Sequence, residues 1–237
     1  MRKRNAFAVF LMILYLSGCA AQTAAAAPAA PTTMPAPTTQ PATESAVYVS
    51  PVAQEDFLDL ESASEERKVS PELVMLHFTS AVMLDRENPF DYGLVRGIFE
   101  DNRLGIHYII DRSGKVYCFV PEDRAAWHAG NGSFGEEKYT DNMNQYAIGI
   151  ELLAIGSQKD MSIYLHPQEY DALPEEYKGF TTAQYTALTQ LVRDICTRNG
   201  ILMDREHILG HQEYKPEKND PGELFDWQKL MGLLQDE

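Results

Sequence analysis

The chain has few cysteines and few basic residues. Three cysteines occur among its 237 residues, and the two outside the N-terminal segment, Cys118 and Cys196, lack the spacing of a zinc knuckle. Lysine and arginine number 20 against 35 acidic residues, which gives a formal net charge of −15. So acidic a chain argues against nucleic acid as a partner. No internal repeat is visible in the sequence.

Long hydrophobic runs are also lacking, except near the N-terminus. Residues 6–16 are apolar and follow three basic residues. This run is too short to span a bilayer comfortably, and it is typical of an export signal. It ends in Leu16-Ser17-Gly18-Cys19, which resembles the bacterial lipobox. We therefore predict that residues 1–18 are a lipoprotein signal peptide and that Cys19 is lipidated, the alternative being a chance cysteine beside an ordinary cleavage site.

The residue after Cys19 is Ala20 and not aspartate. By analogy with lipoprotein sorting, this predicts a lipid-anchored protein of the bacterial cell envelope, on the outer membrane and facing the periplasm. Residues 20–46 are mainly Ala, Pro, Thr and Gln with almost no charge, so they cannot bury a core. We predict a disordered tether over residues 19–58 and one domain over residues 59–237. In an exported domain Cys118 and Cys196 form either a disulfide or two buried thiols.

Hydrophobic patterning predicts an α/β fold, with a single mixed central β-sheet flanked by α-helices. Three helices are expected, at 91–102, at 182–199 and around 227–234. Strands are expected at 73–78, with His77 near the strand exit, and at 146–154. A hairpin is expected from the strands 106–111 and 115–120, which enclose a tight turn.

The segment from Gly210 to Gly222 carries the most informative chemistry. Its prolines and glycines exclude a continuous helix, so a rigid loop can direct His211, Lys218 and Asp220 toward one point. An imidazole and a carboxylate suit zinc, and an ammonium suits a developing oxyanion. On its own, Lys218 is better explained as a solvated loop residue than as an oxyanion partner. A third ligand and a base must come from elsewhere.

Three other residues are candidates for this site. His77 ends a strand that looks buried, so it is either a ligand or a packed core residue. Glu151 alternates with Ala147 and Gly149 on one strand face, which suggests a general base on the floor of a cleft, or else a strand-end glutamate that reaches solvent. His128, between Trp127 and Ala129, either lines a substrate groove or belongs to a packed loop.

The remaining histidines give weaker signals. His207 lies four residues before His211, but no glutamate lies between them and Gly210 weakens a helix, so we predict His211 and not His207 as a ligand. His107 alternates with core residues and is predicted to be structural.

Together these segments resemble the zinc-dependent N-acetylmuramoyl-L-alanine amidases of the type-2 amidase group, which are related to phage amidases and peptidoglycan recognition proteins. The resemblance runs from about residue 73 to residue 227. It is carried, in the family's order, by Leu76-His77-Phe78-Thr79, His107 through Gly114, Ala126-Trp127-His128-Ala129-Gly130, Ile148-Gly149-Ile150-Glu151, and Gly210-His211 through Lys218-Asn219-Asp220-Pro221-Gly222.

The resemblance implies a type-2 amidase fold and one Zn²⁺ per chain, held by His77, His211 and Asp220. It implies that Glu151 is the catalytic glutamate and that Lys218 stabilises the oxyanion. With the lipobox, it places the chain closest to outer-membrane lipoprotein amidases. An insert between Ile155 and Phe180 has no firm match in the family, and it is a candidate location for substrate preference.

The implied activity is hydrolysis of the amide between the lactyl group of N-acetylmuramic acid and L-Ala of the stem peptide, in intact or 1,6-anhydro muropeptides. By the same resemblance, His128 falls in the substrate-cleft loop. Peptidoglycan is the expected partner, together with a membrane through the lipidated N-terminus. Two alternatives remain open: a peptidoglycan-binding module without activity, and a zinc peptidase that cuts within the stem peptide.

Overall fold

A computed structural model describes residues 48–235 of the chain. The predicted signal peptide, the lipidated Cys19 and the tether up to residue 47 lie outside the described residues and stay predictions. Within the described part of the chain, no helix is long and apolar enough to cross a bilayer.

The central feature is a six-stranded mixed sheet in the order β1-β5-β4-β7-β3-β8. All neighbouring strands pair in parallel except β4 and β5, which form the predicted antiparallel hairpin. A separate antiparallel pair is formed by β2 and β6. The strands are β1 Ala53–Glu55, β2 Ser64–Glu66, β3 Leu73–Thr79, β4 Tyr108–Ile110, β5 Val116–Cys118, β6 Arg124–Ala126, β7 Ala147–Leu153 and β8 Ile208–Gly210.

Seven α-helices surround the sheets in the described part of the chain. The longest, α5, begins after an N-cap at Thr181 and ends at Gly200, which adopts a left-handed conformation with φ 68°; threonine and glycine are typical residues at these two helix ends. The helices are α1 Leu60–Ala63, α2 Tyr92–Asn102, α3 Met143–Tyr146, α4 Pro167–Asp171, α5 Thr182–Asn199, α6 His211–Tyr214 and α7 Trp227–Gln235. The predicted fold class, a mixed sheet flanked by helices, is confirmed.

The two faces of the sheet bury different sets of residues. On one face, helices α5 and α7 cover alternate strand residues such as Leu76 and Ile150. On the other face, α2 packs through Val95 and Phe99 against residues that include Ile109. Because side chains alternate along a strand, the residues next to Leu76 and Ile150 point to this second face, where the candidate site lies.

The predicted boundary between tether and domain needs correction. Ala53–Glu55 forms β1 and pairs in parallel with β5, while Val49 and Phe57 pack against the core. Residues 48–58, predicted as tether, therefore belong to the folded domain. The sequence signal is weak there because β1 is only three residues long and depends on a partner more than sixty residues away.

The structure also decides between the two alternatives for the cysteines. Cys118 and Cys196 are both free and buried in the core between the sheet and α5. Burial raises the pKa of the Cys196 thiol to about 12, so it stays protonated at neutral pH. The alternative of two buried thiols is confirmed.

Candidate metal centre and active site

The candidate site is built where three parallel strands end. Strands β3, β7 and β8 run in the same direction, so their carboxyl ends meet at one edge of the sheet, where α/β folds place ligands. His77 and Glu151 occupy directly paired positions on β3 and β7, and they share a face. His211 follows β8 immediately, as the first residue of α6.

Three side chains converge at this edge. The Nδ1 atom of His77 lies 2.6 Å from Oδ2 of Asp220, and Nδ1 of His211 lies 3.0 Å from the same oxygen. One potential ligand atom from each residue lies within 4.8 Å of the other two. The structure therefore brings together the three residues predicted as metal ligands, although they are separated by up to 143 positions in sequence.

This donor set fits zinc. Two imidazole nitrogens and one carboxylate oxygen are ligands that Zn²⁺ prefers, and three protein ligands leave a fourth position for water or substrate, as catalytic zinc sites require. The far nitrogen of His211, Nε2, lies 2.9 Å from the carbonyl oxygen of Ala129. A carbonyl can only accept, so Nε2 donates to it, and Nδ1 is the nitrogen that faces Asp220 and the candidate metal position.

The charges in the cluster are suited to metal binding. Burial lowers the pKa of His77 to about 4, so its imidazole is neutral at neutral pH. Burial alone would raise the pKa of Asp220, but the close contacts with the imidazoles of His211 and His77 outweigh it and hold this pKa well below its usual value. The site thus presents a carboxylate and an uncharged imidazole, which are the protonation states that bind metal.

Glu151 is a carboxyl group in an unfavourable place. Its Oε2 atom is enclosed and has no hydrogen-bond partner among the described residues. Burial, and next the negative charge of Asp220, raise the pKa of Glu151 well above its usual value, while the charge of Lys218 partly opposes this. An enclosed carboxylate with a raised pKa beside a metal site is a good candidate for a general base.

The loop after α6 is closed by main-chain contacts and by a glycine. The amide of Gln212 donates to the carbonyl of Asp220 at 3.1 Å. A side chain at Gly210 would lie only 2.5 Å from Cδ of Pro221, so glycine is needed where the end of the loop returns to its start. The peptide between Asp220 and Pro221 is cis. These contacts bring Asp220 back beside His211.

Asp160, in the insert after β7, is a support that the sequence analysis missed. Its Oδ2 accepts hydrogen bonds from the amide and hydroxyl of Ser157 and from the amide of Glu223, at 3.0 Å. Its main-chain carbonyl accepts from the side chain of Asn219 at 3.2 Å. Asp160 is 4% exposed, and it joins the insert to the loop residues on both sides of Asp220.

The same insert contributes Tyr164. Burial raises the pKa of the Tyr164 phenol, and the negative charges of Asp220 and Glu151 raise it further. The phenol therefore lies within electrostatic reach of both carboxylates, yet Tyr164 is 42% exposed. Its partial exposure leaves Tyr164 accessible to molecules from solvent.

His128 contacts one of the candidate ligands, His77. Its Nδ1 is 3.0 Å from Nε2 of His77, and its own Nε2 is enclosed without a hydrogen-bond partner among the described residues. The prediction that His128 binds substrate stays a prediction, because the structure shows its hydrogen bond to His77 and no free polar edge.

Two other histidines lie outside the metal cluster. His107 is fully buried, and its Nδ1 accepts the amide of Gly149 at 2.9 Å, so it is structural, as expected. His207 pairs with Asp204 at 2.7 Å and contributes nothing to the cluster.

Residues 67–223 match the family model described as Amidase_2, N-acetylmuramoyl-L-alanine amidase. This match covers well over half of the chain. The chain belongs to this family. The cluster of His77, His211 and Asp220, with Glu151 beside it, is the candidate active site of this family member.

Two characterised relatives show how far this amidase resembles known proteins. It is 29% identical over 178 residues to the 1,6-anhydro-N-acetylmuramyl-L-alanine amidase AmpD of Citrobacter freundii, over 70% of this chain and 81% of the relative. It is 28% identical over 189 residues to the N-acetylmuramoyl-L-alanine amidase AmiD of Escherichia coli K12, over 76% of this chain but only 59% of AmiD. The match thus spans less than two thirds of the length of AmiD.

Solved structures give the same fold. A selenomethionine derivative of AmpD superposes with a TM-score of 0.56 at 23% identity, over 78% of this chain and 95% of that one. Escherichia coli AmiD, in complex with the substrate anhydro-N-acetylmuramic acid-L-Ala-D-γ-Glu-L-Lys, superposes with a TM-score of 0.52 at 26% identity, over 71% of this chain and 60% of that one. The type-2 amidase fold expected from the sequence is confirmed.

Proposed function

We propose that this family member is a zinc-dependent amidase, and that it hydrolyses the amide between the lactyl group of N-acetylmuramic acid and L-Ala of the stem peptide. The observation that carries the proposal is the convergence of His77, His211 and Asp220 within 4.8 Å, directly beside an enclosed glutamate on the neighbouring strand. The family membership supports the choice of bond, and the donor set supports the choice of metal.

Each of the candidate site residues has a separate role in this reaction. A zinc ion bound by the three ligands supplies a Lewis acid that activates water and polarises the scissile carbonyl. Glu151 takes a proton from the attacking water and returns it to the amide nitrogen as the bond breaks. The ammonium of Lys218 offsets the negative charge that develops on the carbonyl oxygen.

The raised pKa of Glu151 suits this role. A carboxylate that is held in an enclosed position is a stronger base than one in water, and it also becomes a usable acid once it is protonated. The positive charge of Lys218 lowers the pKa of Glu151 in part, so the base is deprotonated in a larger fraction of molecules. The two residues thus act on the same step with opposite charges: Glu151 as a negatively charged base and Lys218 as a positive charge near the developing oxyanion.

Digestion of muropeptides with and without a chelator tests the proposal. Intact sacculi and anhydro-muropeptides are incubated in parallel with the protein, and the products are identified by mass spectrometry. We expect free stem peptides that begin with L-Ala, and we expect a chelator to abolish them until zinc is restored. Products cut within the stem peptide would indicate a zinc peptidase, and binding without products would indicate a binding module; either result contradicts the proposal.

For the substrate, we propose muropeptides that carry either intact or 1,6-anhydro sugars. AmiD was solved with an anhydro-muropeptide, and AmpD is named for that substrate, so the relatives support this class. Tyr164 lies on the insert that has no firm family match, and we propose that it contributes to the distinction between substrates because it is partly exposed. The parallel digestion measures the preference directly.

We also propose that the protein is anchored to the outer membrane through a lipid on Cys19 and works in the periplasm. The support is the basic, apolar and lipobox-like order of residues 1–19. We expect the full chain to fractionate with membranes and the variant Cys19→Ser to be released in soluble form. A wild-type protein found in the soluble fraction would contradict anchoring.

A further inference from the structure

One short segment, residues 128–129, contacts the Nε2 atoms of both candidate histidine ligands. His128 Nδ1 contacts Nε2 of His77 at 3.0 Å, and the carbonyl of the next residue, Ala129, accepts from Nε2 of His211 at 2.9 Å. The two segment amides are held by a single side-chain oxygen of Asn144, at 3.2 and 2.9 Å. One anchored dipeptide therefore touches the far nitrogen of each ligand.

The packing around His128 leaves this ring little freedom. A side chain at Gly149 would lie 2.7 Å from Cγ of His128 and 2.8 Å from its Nδ1, so the ring occupies the space that this glycine leaves open. The ring also packs edge-on against His107, with ring centroids 5.6 Å apart. His128 is therefore fixed in position by strand β7 and by a buried neighbour.

We propose that His128 is a positioning residue for the metal: with a metal bound at Nδ1 of His77, His128 accepts the Nε2 proton of His77 and so holds the tautomer in which Nδ1 faces the metal. This inference rests on the proposed zinc site. A neutral imidazole carries one N–H, so a hydrogen-bond acceptor at Nε2 keeps the lone pair on Nδ1. Partners of this kind orient metal-binding histidines and raise their basicity.

The supporting partners of the two ligands differ in kind. His211 is backed by a main-chain carbonyl, which no substitution of a side chain removes. His77 is backed by a side chain, so its support can be tested by substitution. Since Nε2 of His128 is enclosed, the ring has no free polar edge for a molecule in the cleft, which favours a role toward His77 over a contact with substrate.

Zinc affinity of the full chain tests this role without using activity. The variants His128→Leu and His128→Asn have nearly the same shape, but only asparagine keeps an oxygen acceptor close to the place of Nδ1. Zinc binding to chelator-stripped protein is measured by competition with a fluorescent zinc chelator. We expect His128→Leu to bind zinc about 10- to 100-fold more weakly, and His128→Asn to stay within about 3-fold of the wild type.

A matched control is His207→Ala, which removes a histidine four residues from His211 that does not touch the cluster; its zinc affinity should equal that of the wild type. Circular dichroism of the metal-free variants confirms folding. Equal zinc affinity in His128→Leu and wild type, with a raised KM, would overturn the inference and indicate a contact with substrate. Equal losses in the leucine and asparagine variants would also overturn it.

Failure of the zinc site itself gives a different result. If the wild type binds zinc no more tightly than His77→Ala, the proposed metal centre is wrong. If the wild type binds zinc tightly and His128→Leu does so too, only the role of His128 is wrong.

Discussion

The candidate active site has two halves that are supported in different ways. The strand half consists of His77 and Glu151, which lie in register on two central strands. The loop half consists of His211, Lys218 and Asp220, between the end of β8 and Gly222. The strand half is held by a continuous main-chain ladder with seven paired positions, whereas the loop half depends on a few contacts, several of which come from Asp160. The candidate catalytic and ligand residues are thus divided between a rigid pair of strands and a loop whose position depends on distant residues.

The difference has a physical reason. Main-chain pairing fixes the direction of a side chain whatever its neighbours are, so a sheet can carry an unfavourably buried carboxyl such as Glu151. A loop has no such ladder, and it keeps a ligand in place only when side chains from elsewhere bind it. We therefore expect substitutions in the strand half to alter chemistry with little change of geometry, and substitutions around the loop half to alter geometry.

The largest effect is expected for Glu151→Gln. The variant removes the proton acceptor but keeps the shape, so kcat/KM for muropeptide hydrolysis should fall by about 10²- to 10⁴-fold. Zinc content, measured by elemental analysis, should be unchanged because Glu151 is not a ligand. A variant that retains nearly full turnover, or one that loses zinc, would contradict the assignment of the base.

A smaller effect is expected for Asp160→Ala. The variant removes the acceptor of three hydrogen bonds, including the one from the amide of Glu223, so the loop half should become more mobile. We expect zinc affinity and kcat/KM each to fall about 10-fold, as measured by chelator competition and by substrate digestion.

Lys159→Ala is the matched control for Asp160→Ala. Lys159 also contacts Glu223, but through an ion pair whose lysine side chain is 79% exposed, and exposed ion pairs contribute little. Both quantities should stay at the wild-type level. Equal effects of the two variants would show that the loop half does not depend on the buried carboxylate.

The smallest effect is a pH-dependent gain of stability in metal-free Glu151→Gln. Burial raises the pKa of Glu151 well above its usual value. At acidic pH the carboxyl is protonated in both the folded and the unfolded state and imposes no penalty. As pH rises, the unfolded state ionises first, and the folded wild type loses stability relative to it.

The glutamine variant does not undergo this loss of stability, because its side chain does not ionise. Its melting temperature should exceed that of the wild type by roughly 2 °C or more near neutral pH, and the difference should shrink toward about pH 4. Thermal unfolding of chelator-treated proteins measures it, with the exposed substitution Glu206→Gln as a control that should show no gain. A difference independent of pH would contradict a buried, ionisable Glu151.

The sequence was most informative for the strand half. Strand alternation placed Glu151 on the face of Ala147 and Gly149, and a polar residue near a strand exit marked His77. Both signals depend only on neighbouring residues, so they can be recognised from the sequence without a structure. The loop half was recognised through the residue types of its ligands and through its prolines and glycines.

What the sequence did not predict depends on contacts between distant segments. Asp160 is one acidic residue in a polar insert, and only its distance to the amide of Glu223 reveals its role. The contact between His128 and His77 joins the segment after β6 to strand β3, and the two residues are 51 positions apart. β1 was placed in the tether because its three residues carry no pattern without the partner strand β5.

The position of β1 has a consequence for handling the protein. The six-stranded sheet ends in β1 on one side and β8 on the other, and both are only three residues long. Short edge strands offer few open backbone groups to a neighbouring molecule. A truncation at the predicted domain start, Asp59, would remove β1 and uncover the buried residues of β5 as a new apolar edge. Such a shortened protein should aggregate at concentrations where one that begins before Tyr48 stays in solution.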